Sequence, residues 1–115
     1  MMRELARERG LPEPVISRPN DLLPERTIHL SEQDHLSVTI KQLVETGHGS
    51  GGQIWNVSEL LVQWVFEPEQ CWIGDCSSAL ELGSGTGLVA VALAKLGVER
   101  VIATDRVQTV CDLCL

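Results

Sequence analysis

Ala79-Leu80-Glu81-Leu82-Gly83-Ser84-Gly85-Thr86-Gly87-Leu88, continuing to Ala103-Thr104-Asp105, is the stretch whose reading decides the fold. Residues 78–82 form a short strand, apolar apart from Glu81 near its end. Three alternating glycines follow at 83, 85 and 87. Residues 88–96 are an apolar run that reads as a buried helix, with Gly97 as its stop. Val101-Ile102-Ala103-Thr104 is a second strand, and Asp105 sits at its carboxyl end. Strand, helix and strand make a βαβ unit with parallel strands and a right-handed crossover.

The order of these parts predicts a ligand. Open α/β sheets bind ligands at the carboxyl ends of their strands. Glycines there allow sharp turns and close approach of a ligand to the backbone. An ionised Asp105 is an acceptor only, which suits a pair of ribose hydroxyls. An adenosine-containing cofactor is therefore expected. The dinucleotide fingerprint G-x-G-x-x-G, started at Gly83 and Gly85, needs glycine at 88, where the chain has Leu88. The spacing present is G-x-G-x-G, preceded by Glu81-Leu82.

With Thr104-Asp105 after the second strand, that pattern resembles the class I, seven-β-strand S-adenosylmethionine-dependent methyltransferases. Gly51-Gly52-Gln53-Ile54-Trp55, opening an amphipathic helix, resembles the Gly-x-x-x-Trp stretch of protein-lysine methyltransferase family 16. The resemblance covers roughly residues 26–115. It implies an α/β fold, the N-terminal portion of a Rossmann-like class I methyltransferase sheet preceded by a β-hairpin. It also implies S-adenosyl-L-methionine as cofactor and a protein substrate carrying a lysine.

The cofactor-binding residues implied are Trp55, Glu81, Gly83, Ser84, Gly85, Thr86, Gly87 and Asp105. By resemblance the glycines let the cofactor lie across the loop, Asp105 holds its ribose, and Trp55 packs beside its methionine part. Read by itself, a tryptophan bordering a core is ordinary packing. Glu81 either faces the methionine ammonium or is a solvated strand-end carboxylate. Thr86 is expected as the N-cap of the buried helix, with a cofactor contact as the other reading. Asp105 can also cap a helix from Val107 onward, and Arg106 has no assigned role. No catalytic residue is identified, because no side chain stands out as a base for a lysine substrate.

A chain of 115 residues is one domain at most. The net charge of −7 is uneven: residues 1–26 hold five arginines against five acids, and residues 27–115 hold four basic residues against eleven acids. An acidic body argues against a nucleic-acid groove and suits a basic partner. No stretch approaches about 18 consecutive apolar residues, so no membrane span is expected. Without a secretory signal the expected location is the cytoplasm or nucleus, where the four cysteines stay reduced.

Upstream, residues 1–9 are expected as a weakly apolar charged helix. Pro12, Pro14, Pro19 and Pro24 mark a linker, and residues 1–25 are expected to be poorly ordered. Residues 26–30 and 36–43 alternate and predict a β-hairpin turning over residues 31–34. A glycine-rich loop over 45–53 leads to a helix capped by Asn56 with Glu59. Its buried face is expected to carry Val57, Leu60, Leu61, Trp64 and Val65, and Glu67-Pro68 ends it. Trp64 is expected in the core. Residues 69–77 read as a loop in which Trp72 covers the sheet edge.

The pairs Cys71/Cys76 and Cys111/Cys114 have the wrong setting for a zinc knuckle, and no metal is expected. His29, His35 and His48 have no catalytic or metal-binding spacing. A further helix is expected from Val107, and the sequence is expected to reach its last residue within it. The later strands of the resembled fold, and its acid-x-x-aromatic motif after the fourth strand, are not in it. A truncated product is the expectation, with a non-catalytic binding chain as one rival reading. A nicotinamide-dinucleotide oxidoreductase is another, disfavoured by Leu88.

Overall fold

A computed structural model describes residues 23–31, 35–43 and 49–106. The helix expected over residues 1–9, nearly all of the linker, the turn residues 32–34, loop residues 44–48 and the segment 107–115 lie outside them. So do His48, Cys111 and Cys114.

Strands β1 (Glu25–Ser31) and β2 (Leu36–Lys41) pair antiparallel, with Ile28 opposite Val38 and an irregularity between His29 and Ser31. A 3-10 turn (Gly49–Gly52) precedes helix α1 (Asn56–Val65). A 3-10 helix (Pro68–Ile73) occupies much of the segment expected as a loop. Strand β3 (Ser78–Leu82), helix α2 (Leu88–Leu96) and strand β4 (Arg100–Thr104) then form the βαβ unit. β3 and β4 are parallel, with Leu80 opposite Ile102 and Leu82 opposite Thr104. The architecture is α/β, a hairpin followed by the first parallel pair of a Rossmann-like sheet.

The main core joins the hairpin to both helices: Ile28, Leu30, Ile40, Ile54, Val62, Leu88 and Ala92 pack together. A second cluster places Val65, Ile73 and Val98 against Ala79, Leu93, Leu96 and Val101. Ala79 and Val101 thus face α2. On the opposite face of the same strands, Leu80, Leu82 and Ile102 are exposed. Parallel sheets normally have both faces covered, and among the described residues nothing covers this one.

Helix α1 corrects three expectations. Its N-cap is Trp55, not Asn56, and no side chain caps it. Glu59 does not close a capping box; its carboxylate accepts a 2.7 Å hydrogen bond from Arg26 of β1. The buried stripe runs through Val62 and Val65, while Val57, Leu60, Leu61 and Trp64 are exposed. That stripe is rotated by one residue, about 100°, from the expected one. The hairpin packs on the side where Val62 is buried with Ile28, Leu30 and Ile40, and Arg26 pairs with Glu59 beside it. Trp64 is therefore not core. Trp72 is also exposed, its indole N–H donating to Gln70 Oε1 at 3.1 Å.

Candidate functional site

The glycine loop between β3 and α2 is built from left-handed backbone. Gly83, Gly85 and Gly87 have φ of 68°, 54° and 78°. Side-chain-bearing residues pay about 1–2 kcal/mol for that conformation. Gly87 is itself the N-cap of α2 and no side-chain oxygen caps the helix, which corrects the capping role expected of Thr86. Thr86 and Ser84 are instead buried within the loop.

The loop is fastened to the carboxyl end of β4. Ser84 N–H donates to Thr104 O at 2.9 Å, and Gly85 N–H donates to the Asp105 carboxylate (Oδ2) at 2.9 Å. Thr104 Oγ1 donates to Glu81 O at 3.0 Å, closing the two strand ends together. Within the loop Gly87 N–H donates to Ser84 O. Asp105 thus meets the glycine motif directly, a contact that sequence spacing did not reveal.

The other side of the loop meets the segment before α1. A Cβ on Gly85 would stand 3.1 Å from Gly51 O, so the two glycine-rich stretches touch. A Cβ on Gly83 would meet nothing within 4 Å. Trp55, four residues past Gly51, is 55% exposed, so it is not simply packed away. Replacing Gly85 by alanine is expected to cost about 1–2 kcal/mol from left-handed strain and to push Gly51 aside. Gly83→Ala should carry the strain alone. Urea unfolding of both variants checks this, and equal stability losses would contradict the crowding at Gly85.

Glu81 is not a freely solvated carboxylate. Burial raises its pKa above the usual glutamate range, opposed by a hydrogen bond from the Ala90 backbone amide in the first turn of α2. Its Oε2 is buried and has no hydrogen-bond partner among the described residues. An acid whose folded pKa is raised binds its proton more tightly folded than unfolded. Stability contributed by that proton is present at low pH and falls as pH rises from the ordinary glutamate range through the raised value. Glu81→Gln should therefore flatten the pH dependence and stabilise the ligand-free protein near neutrality. The gain is less than about 1 kcal/mol, since the group is only half-buried and solvent screens it. Thermal melts across pH check the sign, and a destabilised glutamine variant would contradict it.

The site therefore offers an open glycine cradle, a carboxylate at the second strand end, an under-satisfied carboxylate beneath the loop and an exposed indole four residues past the Gly51 approach. These features fit a ligand carrying ribose hydroxyls at one end and a cation at the other. His29 and His35 are exposed on the hairpin and its turn. Cys71 and Cys76 are free thiols. No group of three or more metal-ligating side chains occurs among the described residues.

Hairpin, crossover helix and parallel pair make up the N-terminal portion of a Rossmann-like, class I methyltransferase sheet. A family model described as lysine methyltransferase matches residues 32–114, and the chain belongs to that family. No curated protein matches the chain. No helix among the described residues is long and apolar enough to cross a membrane.

Proposed function

We propose that the chain binds S-adenosyl-L-methionine for methyl transfer to a lysine side chain of a protein substrate. The observation that carries this reading is the Asp105 carboxylate 2.9 Å from Gly85 N–H, which brings glycine motif and acid into one site. S-adenosylmethionine, when bound, supplies a methyl group already activated on a sulfonium. The residues named here bind and orient.

The left-handed loop of Gly83, Ser84, Gly85, Thr86 and Gly87 gives the ligand access to bare backbone. Asp105 accepts from the ribose hydroxyls. Glu81 accepts from the methionine ammonium, which supplies the partner its Oε2 lacks. Trp55 borders the methionine end. Orientation is the principal contribution of such a site. No residue of this chain is assigned as the base that deprotonates the lysine. A cytoplasmic or nuclear location accords with a protein substrate.

Thermal shift separates this reading from its main rival. S-adenosylhomocysteine should raise the melting temperature in a saturable way, by ligand linkage to the native state, and NAD should not. A shift with NAD alone would overturn the reading in favour of an oxidoreductase.

A further inference from the structure

We infer that Gln42 is a positioning residue that sets where Trp55 and the segment 51–54 stand against the glycine loop. This inference rests on the cofactor reading. Gln42 lies just past the end of β2 and is 5% exposed. Its side chain joins two chain segments: Nε2 donates to Leu23 O at 2.8 Å, and Oε1 accepts from Ile54 N–H at 2.8 Å. Its backbone N–H donates to Pro24 O at 2.7 Å, and the next amide, Leu43 N–H, donates to Gly52 O at 2.8 Å. Three segments distant in sequence thus meet at one glutamine.

The clamp ends at the candidate site. Ile54 is the residue before Trp55, the N-cap of α1, and it packs in the same core as Leu88, the first residue of α2. Gly51 O is the atom that Gly85 approaches. The clamp leaves no slack at Gly52, where a Cβ would fall 2.8 Å from Leu43 Cβ. A buried amide with both ends bonded holds its partners in one geometry, and removing it leaves the Ile54 N–H and the Leu23 carbonyl without it. Gln42 acts through Ile54, which its side chain holds, and through the adjoining Leu43–Gly52 bond.

The test uses the full chain with Trp64→Phe and Trp72→Phe, which leaves Trp55 as its single tryptophan. Two quantities are read: acrylamide quenching of Trp55 without ligand, and S-adenosylhomocysteine affinity by titration. Gln42→Met keeps the shape and removes both side-chain hydrogen bonds. It should raise Trp55 quenching and weaken binding about tenfold. Ile40→Ala, a core truncation on β2 itself that leaves both Gln42 side-chain bonds in place, should lower the melting temperature at least as much yet change affinity less than about twofold. Should Gln42→Met not fold, Gly52→Ala pushes the same segment from the Leu43 side and should give the same two changes. Native quenching and affinity in Gln42→Met, or losses in Ile40→Ala of equal size, would overturn the inference. Absence of binding in the Gln42-bearing parent sinks the cofactor reading instead, and Trp55 quenching then decides the positioning role alone.

Discussion

Asp105→Ala should lower S-adenosylhomocysteine affinity by about 100-fold or more, since several charge-assisted hydrogen bonds vanish together. The carboxylate does two things at once. Its Oδ2 accepts from Gly85 N–H at 2.9 Å, which holds the middle of the glycine loop against the end of β4. In the proposed complex it also accepts from the ribose hydroxyls. Alanine removes both, so the loop keeps only the Ser84–Thr104 tie to β4 and the ligand loses its strongest acceptor. Asp105→Asn separates the two roles. Its carbonyl can still accept from Gly85, while the charge is gone, so an intermediate loss of about tenfold is expected. Calorimetric titration measures all three proteins. Affinity within about threefold of the parent for Asp105→Ala, well under one strong hydrogen bond, would remove Asp105 from the site.

Leu88→Ala should cost about 3 kcal/mol of folding stability, within the range for leucine truncations in packed cores. Leu88 is 1% exposed and packs with Ile28, Leu30, Ile54 and Val62, so it joins hairpin, α1 and α2 at one point. It also opens the helix that follows the glycine loop, so the cavity forms directly beneath the site. Leu82→Ala supplies the contrast. Leu82 is 76% exposed at the end of β3, and its truncation should change stability by less than about 0.5 kcal/mol. Urea unfolding followed by circular dichroism compares them. Similar midpoints for the two variants would contradict the assignment of the core.

Much of this was legible in the residues because punctuation was strong. Ser78–Leu82 and Leu88–Leu96 stand where the apolar runs and glycines put them. Gly97 ends α2 with φ of 116°, a conformation that glycine adopts without strain. The hairpin was legible from alternation, except that Gln42 and Leu43 leave the ladder to bond Pro24 and Gly52. Helix α1 was misread on its buried side. It is apolar around much of its circumference, so periodicity gave no unique face; the side it buries packs Val62 on the hairpin, where Glu59 also finds Arg26 as its partner. Local pattern could not contain that choice, because the partner lies 33 residues away.

The site divides the same way. Its residue types were readable, since glycine spacing and a strand-end acid are local features. Their contacts were not. The Asp105–Gly85 bond spans 20 residues, and the Gly51–Gly85 approach joins two loops. The half-burial of Glu81 depends on α2 folding back over β3, which the residue's place at a strand end did not reveal. Thr86 looked like a cap because threonine precedes an apolar helix, but the left-handed Gly87 took that position and turned Thr86 inward.

The most direct test of the cofactor site is amide chemical shifts of the isotope-labelled chain during titration with S-adenosylhomocysteine. The account predicts saturable shifts centred on Gly83, Gly85, Gly87 and Asp105, with the Trp55 indole moving at the same ligand concentration. Saturable shifts confined to other residues, or no saturable shift from a folded chain, would contradict it.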